Sequence, residues 1–132
     1  MKFVISKCCI ILSITSVCLL ILTGCSKNFP LTPASEKEVS FEANVKPLII
    51  QYGCPSCHGG TSGLTVTSVP LLLQGGDHGP AIIPGNADSS ILIQKLSSHP
   101  PFGDRMPYGG PYLVEAEVQI FKDWINQGAK DN

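Results

Sequence analysis

The sequence predicts a small all-α domain, and three observations support that prediction. Apolar residues recur at helical spacing in several stretches, and no stretch alternates apolar and polar residues as a half-buried strand does. The 13 glycines and 11 prolines, most of them between positions 53 and 111, predict short helices set into loops. The 132 residues suffice for one such domain. Nine basic and ten acidic side chains are nearly balanced, which argues against a basic nucleic-acid surface.

The apolar spacing predicts helices in the first and middle parts of the domain. The first helix runs from Phe41 to about Tyr52, with Ser40 as its cap, and Pro47 either kinks it or begins a second helix. The next runs from about Asp88, as cap, to Ser97. A short helical turn is also expected over Val69–Leu73.

The last helix is predicted from about Val114 to Gln127, with Gly128 as its stop. Its apolar stripe consists of Val114, Val118, Phe121 and Ile125. Trp124 lies beside this stripe. Packing against the first helix is the commoner fate of such a residue, and closing the edge of a cofactor is the alternative.

The N-terminus has the pattern of a secretion signal. Lys2 and Lys7 precede the uncharged, almost wholly apolar stretch Cys8–Leu22, and small residues follow it. At fifteen residues, that stretch is shorter than the roughly 20 that a membrane-spanning helix needs. We therefore expect export, with ordinary cleavage or retention of the segment as the alternatives.

The end of the apolar stretch is more specific. Leu22-Thr23-Gly24-Cys25 resembles the bacterial lipobox, so residues 1–24 are expected to be a lipoprotein signal peptide and Cys25 a lipidated first residue. Residues 25–40 are polar, contain two prolines and are expected to be a linker to a domain over 41–130. The resemblance implies a cell-envelope protein that is lipid-anchored and faces the periplasm. Ser26 after the cysteine favours the outer membrane.

Only one pair of cysteines is expected to be available in the folded domain to bind a cofactor or metal or to form a disulfide. Of six, Cys8, Cys9 and Cys18 lie in the signal and Cys25 is assigned to lipid, so Cys54 and Cys57 remain, followed directly by His58. Cys-x-x-Cys-His is the pattern of covalent haem attachment. Two thiols on one short helical turn bond the haem, and the adjacent imidazole ligates its iron. One covalently attached haem c is therefore expected.

A disulfide, a redox-active thiol pair and a zinc site each fit these two cysteines less well. A disulfide between them closes a very small loop and adds little constraint. A thioredoxin-like pair needs a strand–helix setting, whereas here a helix precedes the motif and a Gly-rich loop follows it. A structural zinc site needs four ligands, and the mature chain adds only His78 and His99.

Met106 is the candidate for the second axial ligand. It is the single methionine of the mature chain and lies in a loop between Asp104-Arg105 and Pro107. A methionine that fills a gap in the core is the alternative, although core methionines usually lie on periodic apolar faces. His78 and His99 are rival ligands, each more often a solvated loop histidine.

Together these residues resemble the class I cytochrome c fold, and more closely the planctomycete-type cytochrome c domain. The likeness covers about residues 41–129. The matching segments are Val45-Lys46-Pro47-Leu48-Ile49, Cys54 to Gly59, Gly63-Leu64, Gly75-Gly76, Pro84-Gly85, Ser90-Ile91-Leu92, Met106-Pro107, and Trp124-Ile125-Asn126-Gln127-Gly128-Ala129. Tyr108 departs from the pattern, because the family often has a second proline there.

The resemblance implies a small cytochrome c fold, with N- and C-terminal helices packed around one haem. It makes His58 the proximal ligand and Met106 the distal one, with Pro84-Gly85 lining the pocket. Arg105 is either a partner of a haem propionate or a solvated surface charge.

The implied function is transfer of single electrons between redox partner proteins at a bacterial membrane surface. With both axial positions filled, neither catalysis nor a small-molecule substrate is expected. No nucleic-acid partner is expected either. The alternative is a haem-based gas or peroxide sensor, or an enzyme with an open sixth iron site, which requires that Met106 does not ligate.

Overall fold

The structure is a computed structural model and describes residues 37–132. The predicted signal peptide 1–24, the lipidated Cys25 and most of the linker 25–40 lie outside the described residues, so those assignments stay predictions. The helices are a π-helical segment Phe41–Val45, α1 (Lys46–Gln51), α2 (Cys54–Cys57), the 3-10 turn Thr61–Gly63, α3 (Val69–Gln74), α4 (Ile91–Leu96) and α5 (Glu115–Asn126).

Across residues 37–132 the backbone forms no β-strand and only two isolated bridges, Gly59 with Thr65 and Gly76 with Gly79. The predicted all-α class is therefore confirmed. Of the helices just named, none is both long and apolar enough to cross a membrane.

The first helical stretch begins where the sequence predicts. The Ser40 side chain accepts a hydrogen bond from the amide of Ala43 and so caps the segment. The segment Phe41–Val45 is π-helical, and α1 begins at Lys46 with Pro47 in its first turn, where the missing amide donor costs nothing. Pro47 thus marks a second start within the predicted helix.

The two ends of the domain pack against each other. The rings of Phe41 and Trp124 lie 5.3 Å apart between centroids, and both side chains are buried. The Trp124 indole donates to the carbonyl of Lys130 at 2.9 Å, which satisfies its polar edge. Trp124 therefore packs against the first helical segment, and it does not line the cavity described below.

The last helix is slightly shorter than predicted. It spans Glu115–Asn126 with Val114 as its cap residue, and Val118, Phe121, Trp124 and Ile125 are its buried side chains. Val114 is 60% exposed, so its assignment to the apolar stripe was wrong. The side chain of Glu117 instead accepts from the Val114 amide at 3.0 Å, which satisfies a donor at the helix start.

The predicted start of α4 was also wrong. The cap residue is Ser90, and the helix runs only from Ile91 to Leu96. Ser90 is fully buried, where its hydroxyl donates to the Asn86 carbonyl and accepts from the Ile83 amide. Those bonds hold residues 83–90 in a turn, and Asp88 lies exposed within it rather than at the helix start.

Candidate functional site

A cavity of about 310 Å³ lies between α1, α2, α4, α5 and the loops that follow α2, α3 and α4. Most of its wall is apolar. The apolar side chains that line it include Leu48, Ile49, Leu64, Val66, Ala81, Leu92, Leu96, Leu113 and Phe121. A recess of this kind, with a few converging polar groups, is the usual form of a cofactor site.

The helix α2 carries the cysteine pair and brings Cys54 to this cavity. Gly53 precedes it in the left-handed conformation, with φ of +63°, and the His58 amide closes the turn on the Cys54 carbonyl at 2.8 Å. Cys54 lines the cavity, whereas Cys57 is exposed and is not among the lining residues. Both sulfurs are free thiols, so the pair is not closed into a disulfide.

Burial raises the pKa of the Cys54 thiol above its ordinary value. A redox-active cysteine depends on the opposite effect, because the thiolate is the nucleophile and a lowered pKa populates it. The surroundings of Cys54 therefore do not favour a thioredoxin-like pair. They suit a cysteine that is buried against an apolar group.

His58 follows α2 directly and also lines the cavity. Burial lowers the pKa of its imidazole, and the positive charge of Lys95 lowers it further, so the neutral ring is favoured. Within the part of the chain that the structure describes, the buried Nδ1 of His58 has no hydrogen-bond partner. A neutral imidazole is the form that ligates a metal.

Met106 lines the same cavity from the loop after α4. Its side chain is half-buried and packs against the core, and its amide donates to the carbonyl of Lys95 at 2.8 Å. Cys54 and His58 from one short segment and Met106 from a distant loop are therefore brought to one recess.

The two rival histidines differ in position. His78 lines the cavity, although it is exposed, and its ring stacks on Phe102 with 4.0 Å between centroids. His99 is exposed, does not line the cavity, and exchanges a hydrogen bond with the Ser98 hydroxyl at 2.9 Å. Of the two, only His78 is placed near a cofactor in this recess.

The segment Pro84-Gly85 does not line the cavity, so that expectation from the resemblance was wrong. The amide of Gly85 donates to the carbonyl of Ile125 at 2.7 Å, so this segment docks on α5 instead. Its role is to join the middle loops to the last helix.

Arg105 lies outside the cavity wall as well. Its Nε donates to the Leu96 carbonyl at 2.9 Å, and its guanidinium lies 4.1 Å from the centroid of the Tyr112 ring. The Arg105 charge is therefore engaged by Leu96 and Tyr112 rather than freely solvated, and its pairing with a haem propionate stays a prediction.

Three site residues were missed by sequence reasoning. Tyr52 lines the cavity and donates from its hydroxyl to the Glu117 carboxylate, while Lys95 and Phe102 line it from α4 and the following loop. Tyr52 and Lys95 lie in helices with apolar periodicity. That periodicity indicates which side of the helix is covered, but not whether a side chain faces the core or a cavity. Phe102 lies between Pro101 and Gly103. A large aromatic residue in a loop of that kind could have indicated that its ring is used at the site.

The residues present fit a haem. A thiol, an imidazole and a thioether converge on an apolar recess, and these are the groups that hold c-type haem and its iron. The buried Nδ1 of His58 without a partner is a further sign that this site accommodates more than the described side chains. By contrast, residues 37–132 hold no group of three or more His, Cys, Asp or Glu side chains placed to bind a metal ion, such as a tetrahedral zinc site requires.

Comparison with known proteins agrees with this site. Residues 54–107, from the first cysteine of the motif to the proline after Met106, match the family model of planctomycete cytochrome C. No curated protein and no solved structure matches the chain significantly. The all-α fold, the cavity and the family match together support a cytochrome-c-like domain, which implies binding of haem c.

Proposed function

We propose that this chain is a mono-haem c-type cytochrome that transfers single electrons. Cys54 and Cys57 would hold the haem by covalent bonds, and His58 and Met106 would supply the two ligands to its iron. The observation that carries the proposal is the convergence of Cys54, His58 and Met106 on one apolar cavity. When bound, haem c supplies an iron that takes up and releases one electron.

The residues of the chain hold and shield that group. The short helix α2 presents Cys54 and delivers His58 next to it, while burial keeps the imidazole neutral and able to ligate. The apolar side chains around the cavity exclude water, and the loop after α4 supplies the thioether. A thioether opposite an imidazole raises the reduction potential.

The exposed Cys57 is consistent with a haem that lies partly outside the recess. Cys57 is exposed, whereas Cys54 is half-buried and lines the cavity, so a group bonded to both would extend from the recess to solvent. An exposed haem edge suits electron exchange through a small, transient protein contact. The partners are therefore proposed to be other redox proteins, and no enzymatic activity is proposed.

We also propose that the domain is tethered in the cell envelope through lipid on Cys25. The lipobox-like Leu22-Thr23-Gly24-Cys25 supports this, and the outer membrane is favoured by Ser26. The polar residues 25–40 then act as the linker, with the domain facing the periplasm.

Mass spectrometry of the full chain, expressed with its signal in a bacterium that matures c-type cytochromes, tests both proposals. We expect one haem-sized covalent adduct and a diacylglycerol-sized addition to a chain that starts at Cys25. The matched controls are Cys25→Ser, which should lose only the lipid, and Cys54→Ser with Cys57→Ser, which should lose only the haem. A mature chain without the adduct would overturn the cytochrome assignment.

The ferric absorption spectrum of the same protein tests the sixth ligand. We expect a low-spin spectrum with a thioether-to-iron charge-transfer band at the red edge of the visible range. A high-spin spectrum would instead support the open-site sensor or enzyme as the function.

A further inference from the structure

Besides His58, the lining of the cavity includes one further imidazole and one thioether. Met106 lines it from the loop after α4, and His78 lines it from the loop after α3. Imidazole and thioether are both axial ligands of haem iron, and which of them binds changes the reduction potential. The contacts around the His78 imidazole and the Met106 thioether therefore bear on which of them ligates the iron.

The loop that carries His78 is held by its backbone. The amide of Gly76 donates to the Gly79 carbonyl at 3.1 Å, the amide of Gly79 donates back to Gly76 at 2.9 Å, and the Asp77 amide donates to Ser62 at 3.0 Å. A Cβ at Gly75 would lie 1.9 Å from the Gly79 carbonyl oxygen, so only glycine permits this close approach. His78 stands at the tip of a tight, well-supported turn.

The ring of His78 is held by Phe102. The two rings stack at 4.0 Å between centroids with 29° between their planes. Because both residues line the cavity, this stack joins the two loops at its border.

Lys95 in turn holds Phe102. Its ammonium lies 4.8 Å from the centroid of the Phe102 ring and also donates to the Phe102 carbonyl. The main-chain carbonyl of the same lysine accepts the amide of Met106 at 2.8 Å. One residue of α4 therefore positions the aromatic ring that engages His78 and the backbone that carries Met106.

We infer that Phe102, supported by Lys95, is a positioning residue that selects the distal ligand: it keeps the His78 ring in the stack and leaves the iron to Met106. This inference rests on the proposed function, since it concerns the axial ligand of the proposed haem. It predicts that, once the Phe102 ring is removed, the imidazole of His78 replaces the thioether of Met106 as the ligand of the iron.

The test compares ferric visible and near-infrared spectra and reduction potentials of holoprotein variants. Phe102→Leu removes the aromatic ring but retains apolar volume, and Phe102→Ala removes both. We expect each to lose the thioether band, to show low-spin bis-imidazole bands, and to have a lower potential than the wild type. Phe102→Tyr, which retains the ring, should keep the thioether band.

The double variant Phe102→Leu with His78→Asn separates ligand exchange from simple loosening of the loop. We expect it to regain the thioether band, and His78→Asn alone to leave that band unchanged. Lys95→Met retains the carbonyl that holds Met106 and should cause a partial exchange in the same direction.

Three results would overturn the inference. They are an unchanged thioether band in Phe102→Leu, a lost band that His78→Asn does not restore, and a wild-type spectrum that is already bis-imidazole and changes to thioether in His78→Asn. A failure of the proposed function is distinguished beforehand, because it appears as a wild-type chain with no covalent haem by mass.

Discussion

The two walls of the cavity that carry the proposed iron ligands are built differently. His58 is placed by neighbours in sequence: its amide bonds to Cys54, and Ser56 bonds back to Gly53, all within one short turn. Met106 is placed by contacts between separate segments, through the Lys95 carbonyl and the bond from Arg105 to Leu96. Local contacts survive loosening of the domain better than contacts that depend on packing between segments.

The Met106 wall is expected to be the less stable of the two. The last carbonyls of α4 have no partners within the helix. Those of Lys95 and Leu96 accept hydrogen bonds from Met106 and Arg105, which hold the following loop in place. The ligand on that loop is therefore expected to detach before the rest of the domain unfolds, whereas the His58 side stays formed. Four predictions test this difference between the two walls.

The largest effect is expected on the His58 side. Replacing Cys54 and Cys57 together with serine removes both covalent bonds, so the haem-sized adduct should vanish from the mass spectrum. The apolar cavity then lacks the group that fills it, and the midpoint of thermal unfolding should fall below that of the holoprotein. Single substitutions serve as controls, since each leaves one sulfur; an adduct that persists in the double variant would contradict the assignment.

Removing the ligand on the other wall should have a different result. In Met106→Ala the adduct remains, because α2 is untouched, but the thioether band disappears and the reduction potential falls. The far-ultraviolet circular dichroism should match the wild type. If the band persisted, Met106 would not be the ligand, and the side chain would serve only in packing.

A smaller effect is expected at the support of the Met106 loop. Arg105→Met removes the bond to Leu96 and the contact with Tyr112, which together contribute about 2 kcal/mol. The denaturant concentration that abolishes the thioether band should fall more than the one that unfolds the helices. Arg105→Lys, which keeps the charge but loses the planar group, should be intermediate. Equal shifts in both transitions would mean that the loop has no separate stability.

The smallest effect concerns Tyr52 on the cavity wall. Its hydrogen bond to Glu117, then burial and the negative charge of that carboxylate, raise its pKa above the ordinary value. The folded state thus favours the neutral phenol, so this contribution is fully present below the ordinary pKa of about 10 and is lost as pH rises through the folded pKa.

Tyr52→Phe should therefore flatten the alkaline part of the plot of unfolding free energy against pH. Urea titrations at a series of pH values from neutral to strongly alkaline measure it. Glu117→Gln is the matched control, because it keeps an acceptor for the hydroxyl but removes the carboxylate whose hydrogen bond and charge raise the Tyr52 pKa. An identical alkaline slope in the wild type and Tyr52→Phe would show that the pair contributes nothing to stability.

The helices were predictable wherever apolar spacing and local caps decide them. Ser40 is the cap that the sequence predicts, and α5 differs from its predicted range by one residue at each end. The start of α4 was not predictable from Asp88, because a buried serine whose partners are the backbone of residues 83 and 86 displaced it. These hydrogen bonds of Ser90 form only when residues 83–90 have folded into their turn, so the sequence pattern does not reveal them.

Short-range chemistry follows from the sequence alone: the cysteine pair, the adjacent histidine, Met106 as the only methionine besides Met1, and the all-α class. These depend on residue type and on spacing of a few positions. Packing between distant segments, by contrast, determines which side chains share the cavity. His78 lines it and His99 does not, and Arg105 contacts α4 while Lys95 lines the cavity. The physical reason is that a loop side chain is oriented by carbonyls and rings on other segments, whose positions no local pattern encodes.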